Sequence, residues 1–261
     1  MFSSYIQENI MSKKTAIITG GAGYIGSSIA KRFAEQGMQV ILFDCNQQQL
    51  DKISSETGAM GMVVDVTDYA AVSEAVESVR TQYGTIDILV NVAGGSARSE
   101  IRPFAVQKME VIHQVIEMNL YGSLHCIRAV APFMIEQQSG VIINFSSAVA
   151  LGGIVGCADY GASKGAIIAA TKSLAMEFGQ YNIRVNCVCP GKVQRPDAQP
   201  ADVEGFVKRY TYLNTLANAE DVADLVEFLA SEKARCITGQ NYVIDNGRSL
   251  GLRGDKNRTD C

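Results

Sequence analysis

Only two histidines occur among the 261 residues, and no Cys-x-x-Cys pair, so the ligand spacing of a zinc site is missing and no metal is expected. No apolar run approaches the ~20 residues that cross a membrane. Residues 1–10 lack a basic stretch leading into an apolar one, which argues against a signal peptide. A formal charge of -4 gives no sign of nucleic-acid binding. No linker, low-complexity tract or convincing repeat divides the chain. The expectation is one domain over 13–250, with a disordered extension over 1–12 and a tail over 251–261.

What is present is a core. Apolar residues make up 47% and charged residues 19%, enough to exclude disorder. Seven cysteines, an odd number, sit mostly in apolar runs and read as reduced, which fits a cytoplasmic protein.

The first pattern is Thr15–Thr19, a β-rich run, then Gly20-Gly21-Ala22-Gly23-Tyr24-Ile25-Gly26, then a helical pattern over 27–36. A second buried-strand run, Gln39–Phe43, ends in Asp44. Strand, glycine turn, helix, strand and acid form a dinucleotide fingerprint, with Asp44 standing 18 residues past Gly26. Glycines let the backbone approach a pyrophosphate at the positive end of the helix. Asp44 is expected to accept from the adenosine ribose hydroxyls. A 2′-phosphate there would meet a like charge, and no Arg or Lys follows to offset it, so NAD is expected over NADP. The rival reading of Asp44 is a helix cap.

Strand and helix patterns then alternate: strand 60–64, helix 68–83, strand 86–90, a long helical pattern over 106–137, strand 141–145, helix 160–179, strand 183–189, a polar lid-like stretch, helix 219–230 and a strand near 240–244. Alternation means an α/β fold, a doubly wound parallel sheet of about seven strands with helices on both faces. Within the 160–179 helix, Tyr160 and Lys164 share one face. A phenol titrates near ~10 in isolation, and an ammonium one turn away stabilises its phenolate, giving a general acid/base nearer neutrality. Alone, such a pair arises by chance in many helices.

Taken together, the glycine loop, Asp65-Val66, Asn91-Val92-Ala93-Gly94, Asn119, Ser147, Tyr160-x-x-x-Lys164 and Pro190-Gly191-Lys192-Val193 resemble the short-chain dehydrogenase/reductase family from Lys14 to about Gly247. The resemblance implies a Rossmann-like fold and hydride transfer between a nicotinamide and a secondary alcohol or ketone. Tyr160 would exchange the proton, Ser147 would hydrogen-bond the substrate oxygen, and Lys164 would lower the phenol pKa and hold the nicotinamide ribose. Asn119 would hold a water linking Lys164 to solvent. Gly20, Gly23, Tyr24, Ile25 and Gly26 would cradle the pyrophosphate. Asp65 and Val66 would contact adenine, Asn91, Ala93 and Gly94 the adenosine or ribose side, and Pro190 and Val193 the carboxamide side. A homotetramer or homodimer is also implied. Each residue has a plainer rival: a loop hydroxyl bonded to its own backbone for Ser147 (with Ser146 the better candidate for that), an exposed polar residue for Asn119, a solvated charge for Lys164, a turn cap for Asp65. His113 and His125 fall away from the motifs, and Cys157 reads as packing.

The chain also departs from the family. Tyr24 replaces a glycine, giving the spacing of the sugar-nucleotide epimerase branch, but the 97 residues after Lys164 are too few for that branch's substrate domain. Val92 replaces a second asparagine. Arg195 stands where a threonine is common, and reads as a solvated loop charge or a contact to cofactor or anionic substrate. The substrate is expected between the 94–104 loop, with Arg98 and Arg102, and the 195–213 lid. A non-catalytic NAD-sensing protein is the remaining rival, although Ser, Tyr and Lys are all kept.

Overall fold

Thr15–Thr19 (β1) is buried along its whole length, so both its faces meet apolar groups, as a strand of a covered parallel sheet requires. Side chains alternate: Ala16 and Ile18 join one buried cluster, Ile17 the other. In the computed structural model, which describes residues 13–251 apart from residue 198, this strand is central. The extension expected over 1–12 lies outside the described residues, as does all but the first residue of the expected tail.

The elements follow in order: α1 (Tyr24–Glu35), β2 (Gln39–Asp44), α2 (Gln47–Thr57), β3 (Met60–Val63), α3 (Tyr69–Tyr83), β4 (Ile88–Asn91), α4 (Met109–Ile116), a π-helical turn (Glu117–Tyr121), α5 (Gly122–Gln137), β5 (Gly140–Phe145), α6 (Val149–Gly152), α7 (Ala158–Phe178), β6 (Ile183–Pro190), α8 (Pro200–Tyr210), α9 (Ala219–Ala230) and β7 (Asn241–Ile244). The sheet order is β3-β2-β1-β4-β5-β6-β7, parallel throughout. The chain winds outward from β1 to β3, then returns to place β4 on the other side of β1. That reversal opens a crevice beyond the carboxyl ends of β1 and β4.

One face of the sheet is covered by α1, α2 and α9, through Ile29, Phe33, Leu50, Ile53, Val222 and Val226. The other is covered by α3, α5 and α7, through Val72, Val76, Val79, Val130, Ala175 and Phe178. Each Val, Leu, Ile or Phe among these contributes roughly 1.5–3 kcal/mol when fully buried.

Three elements differ from expectation. Helix α2 falls between Asp44 and the strand at 60, a stretch given no element from the sequence, because Leu50 and Ile53 are its only buried residues and its stripe is thin. Its ends are nonetheless marked: Asn46 accepts from the Gln49 N–H, and Gly58 closes it at φ +73°. Helix α8 lies in the stretch expected as a polar lid; it has no buried residue, and Pro200 opens it. The long 106–137 pattern is interrupted at Glu117–Tyr121, where one widened turn sits at Asn119.

Behind the sheet runs a buried polar chain. Asn91 Nδ2 donates to Asn144 Oδ1 at 3.0 Å, and Asn144 Nδ2 donates to Thr171 Oγ1 at 3.0 Å, tying β4 to β5 and β5 to α7. Replacing Asn144 by Leu leaves Asn91 and Thr171 without these partners in a buried layer. Urea unfolding should show Asn144→Leu less stable by about 2–4 kcal/mol; a loss under about 0.5 kcal/mol would mean that the chain contributes little.

Candidate active site

The glycine loop is shaped by close approach. Gly20 has φ +64°, and a Cβ there would lie 2.9 Å from the Cα and N of Ala93. A Cβ on Gly26 would collide with the Gly20 carbonyl, so only glycine lets α1 start this near β1. Helix α1 begins at Tyr24, three residues before the expected start, and its cap, Gly23, offers no side-chain acceptor. The first-turn N–H groups therefore remain available to an anion. Tyr24 does not sit at positive φ, so a glycine is not needed there.

The loop opens onto a cavity of about 920 Å³ lined by Gly20, Gly23, Tyr24, Ile25 and Gly26. Asp44, Asp65 and Val66 line one end. Asp44 braces the loop by accepting from the Ala22 N–H at 3.1 Å and also caps its own turn through the Asn46 N–H. Asp65 likewise holds its turn through Thr67, the plainer role considered for it, while still lining the cavity. Ala93, Gly94, Pro190 and Val193 line it too, together with Ser147, Tyr160 and Lys164.

The last three come from different elements. Ser147 follows β5, and its Oγ accepts from the Val149 N–H at 3.2 Å, which leaves its own proton to donate. The local backbone bond expected of Ser146 thus belongs to Ser147. Ser146 instead donates to the Lys164 carbonyl at 2.7 Å and fastens α7 to the end of β5. Nothing in the local pattern marks Ser146 for this, because its partner is 18 residues away. Tyr160 and Lys164 lie one turn apart on α7, with Lys164 Nζ 6.0 Å from the Tyr160 ring centroid.

Lys164 is only 3% exposed, and its Nζ donates to the Phe145 carbonyl at 2.8 Å. Burial pushes its pKa down to about 8, with the nearby sulfurs of Cys187 and Cys189 pulling the other way. It remains a cation at neutral pH.

Asn91 and Asn119 stand outside the cavity lining. Asn91 was expected on the adenosine or ribose side; its amide instead points into the buried chain with Asn144. The reason is its position: the last residue of β4 turns its side chain toward α5 and the neighbouring strand β5. Asn119 is fully buried, not on an exposed face. Its Oδ1 accepts from the Gly95 N–H at 3.0 Å, and its Nδ2 donates to the Gly95 and Val115 carbonyls at 2.8 Å. A Cβ on Gly94 would collide with Asn119 Oδ1 and lie 3.1 Å from Lys164 Nζ, so the asparagine clamps the 94–95 loop beside the lysine. His113 is exposed, His125 bonds the Val66 carbonyl, and Cys157 is buried outside the lining. Among the described residues no His, Cys, Asp and Glu cluster could hold a metal, and no helix is long and apolar enough to cross a membrane.

The profile of the family described as enoyl-(acyl carrier protein) reductase matches residues 20–249. The chain is 36% identical over 241 residues to a 3-oxoacyl-acyl-carrier-protein reductase of Thermotoga maritima, spanning 90% of this chain and 97% of the relative. It is 35% identical to a 3alpha-hydroxysteroid dehydrogenase of Mediterraneibacter gnavus, at 90% and 97% coverage. Among solved structures it resembles a short-chain type dehydrogenase/reductase from Mycobacterium ulcerans, with TM-score 0.86, 26% identity, and 92% and 91% of the two chains covered. It also resembles an NAD+-bound xylitol dehydrogenase, with TM-score 0.81, 31% identity, and 88% and 97% covered.

The buried lysine makes stability depend on pH with a defined sign. Between about 8 and 10.5 the folded chain has lost the Lys164 proton while the unfolded chain keeps it, so stability rises with pH across that window. Relative to Lys164→Met, the native chain should gain roughly 3 kcal/mol at most from the bottom of the window to the top. Paired urea titrations at several pH values check this; a flat difference would contradict the burial argument.

Proposed function

The chain belongs to the short-chain dehydrogenase/reductase family of oxidoreductases, and from that premise we propose that it interconverts a secondary alcohol and a ketone, with NAD as the preferred cofactor. The observation that carries the reading is that Ser147, Tyr160 and Lys164 line the same cavity as the glycine loop.

The residues fit a dinucleotide. Gly20 and Gly26 let backbone approach backbone at the cavity wall, and α1 offers uncapped N–H groups at its start. Gly23, Tyr24 and Ile25 would hold the pyrophosphate there. Asp44 would take the adenosine ribose, Asp65 and Val66 the adenine, Ala93 and Gly94 the ribose side, and Pro190 and Val193 the carboxamide side. A bound nicotinamide supplies the hydride donor or acceptor.

The chain's own residues handle the oxygen and its proton. Ser147, oriented by the Val149 N–H, donates to the substrate oxygen. Tyr160 gives a proton to that oxygen in ketone reduction and takes it in alcohol oxidation. Lys164, anchored on the Phe145 carbonyl, presents a positive charge beneath the phenol and favours its phenolate. Asn119 is a positioning residue that keeps Gly94 and Gly95 beside the lysine.

NAD is favoured over NADP because Asp44 would repel a 2′-phosphate, and Cys45 and Asn46, the residues after it, carry no positive charge. Met118, Val203 and Leu216 add an apolar lining, so a substrate with an apolar body suits the cavity. None of the six cysteines among the described residues is in a disulfide, in keeping with a cytoplasmic protein. Helix α7 shows the small residues Ala162 and Ala169 at its surface, with the apolar Met176 a turn or two beyond, a face we read as a subunit contact of a homotetramer or homodimer.

Tyr160→Phe should cut turnover about 10²–10⁴-fold while NADH fluorescence titration still reports binding; near-native turnover in that variant removes the assigned mechanism. Asp44→Ala should narrow the ratio of kcat/KM for NAD to that for NADP, measured at 340 nm with a panel of secondary alcohols. An unchanged ratio would refute the ribose role.

A further inference from the structure

Three cationic side chains line the cavity: Lys164, Lys192 and Arg195. Lys164 is buried and bonded to the Phe145 carbonyl. Lys192 has its Nζ 4.4 Å over the ring of Phe206 on α8, where Arg248 stacks as well, at 5.2 Å. Arg195 is exposed and takes part in none of the ion pairs or cation–aromatic contacts of the described residues. Among the described residues the guanidinium therefore has no charged or aromatic partner.

Its backbone position is set firmly. The segment after β6 is pinned at both ends, Gly191 N–H to the Ile244 carbonyl at 2.9 Å and Gln194 N–H to the Ala217 carbonyl at 2.8 Å. Val193, between the pins, packs on the same buried cluster as Ala22 and Ile25 of the glycine loop. Arg195 follows the pinned segment and lines the same cavity as Gly23, Tyr24 and Ile25 at the start of α1. That start has no acidic residue in its first turn and no side-chain cap. The wall supplies a cation, and the helix supplies N–H groups.

We propose that Arg195 is a cofactor-binding residue whose guanidinium grips the pyrophosphate of the dinucleotide from the side opposite the N-terminus of α1. A planar fork of donors matches two phosphate oxygens, and its charge offsets a dianion that would otherwise share the cavity with Asp44, Asp65 and Asp197. The proposal rests on the dinucleotide reading above and adds to it a residue from the far wall, so that the cofactor spans both.

The test is equilibrium binding to the full chain, without turnover. NADH, ADP-ribose and adenosine are titrated against the native chain, Arg195→Gln and Arg195→Lys, with thermal midpoints recorded for each. The Gln variant should bind NADH and ADP-ribose about tenfold or more weakly, with the Lys variant between it and the native chain. Adenosine, which has no phosphate, should not follow this loss. Equal affinities of the native chain and the Gln variant for ADP-ribose would overturn the proposal, as would an equal loss for adenosine. Failure of the native chain to bind any of the three would remove the dinucleotide reading, and this inference with it.

Discussion

A single buried ammonium sets the terms for the rest of the active site. Lys164 is surrounded by protein, and a carbonyl at the end of β5 accepts a hydrogen bond from its buried ammonium. That bond needs α7 to stand at one height against the sheet, and Ser146 holds it there by donating to the Lys164 backbone. It also needs room, which only a glycine at position 94 leaves. The widened turn at Asn119 fits the same demand, since it turns an amide onto Gly95 where an unbroken helix would continue. Four elements therefore meet around one charge, and the phenol of Tyr160 is placed by their meeting.

Sheet topology provides the second constraint. Because the chain leaves β1 and β4 toward opposite faces of the sheet, the connections after these strands part and leave a crevice. The glycine loop fills its base. Gly20 and Gly26 let backbone meet backbone, so the start of α1 reaches the cavity without side chains between. The cost of burying Asn91, Asn144 and Thr171 behind the crevice is offset by their bonds to one another, which lock β4, β5 and α7 in register beneath it.

Much of this was legible residue by residue. The run Thr15–Thr19 and the helix Ala219–Ala230 have the expected bounds, because strong apolar patterning and clear caps leave few alternatives. Helix α2 was not legible: two apolar residues in eleven make no stripe, and only the caps at Asn46 and Gly58 betray it. Helix α8 was missed because it buries nothing. Ser146 and Ser147 were adjacent hydroxyls with interchangeable local chemistry until their partners, Lys164 and Val149, were seen.

Taken by itself, the amino-acid sequence determined the alternation of strands and helices, the glycine turn, the acid at the end of β2 and the Tyr160–Lys164 spacing. All of these follow from local periodicity and short-range sterics. Only the tertiary structure decided which way Asn91 and Asn119 face, what Ser146 holds, and that Arg195 lines the cavity unpaired. Those outcomes depend on partners far away in the chain, and side-chain direction at the end of a strand or in a loop is set by whatever packs against it.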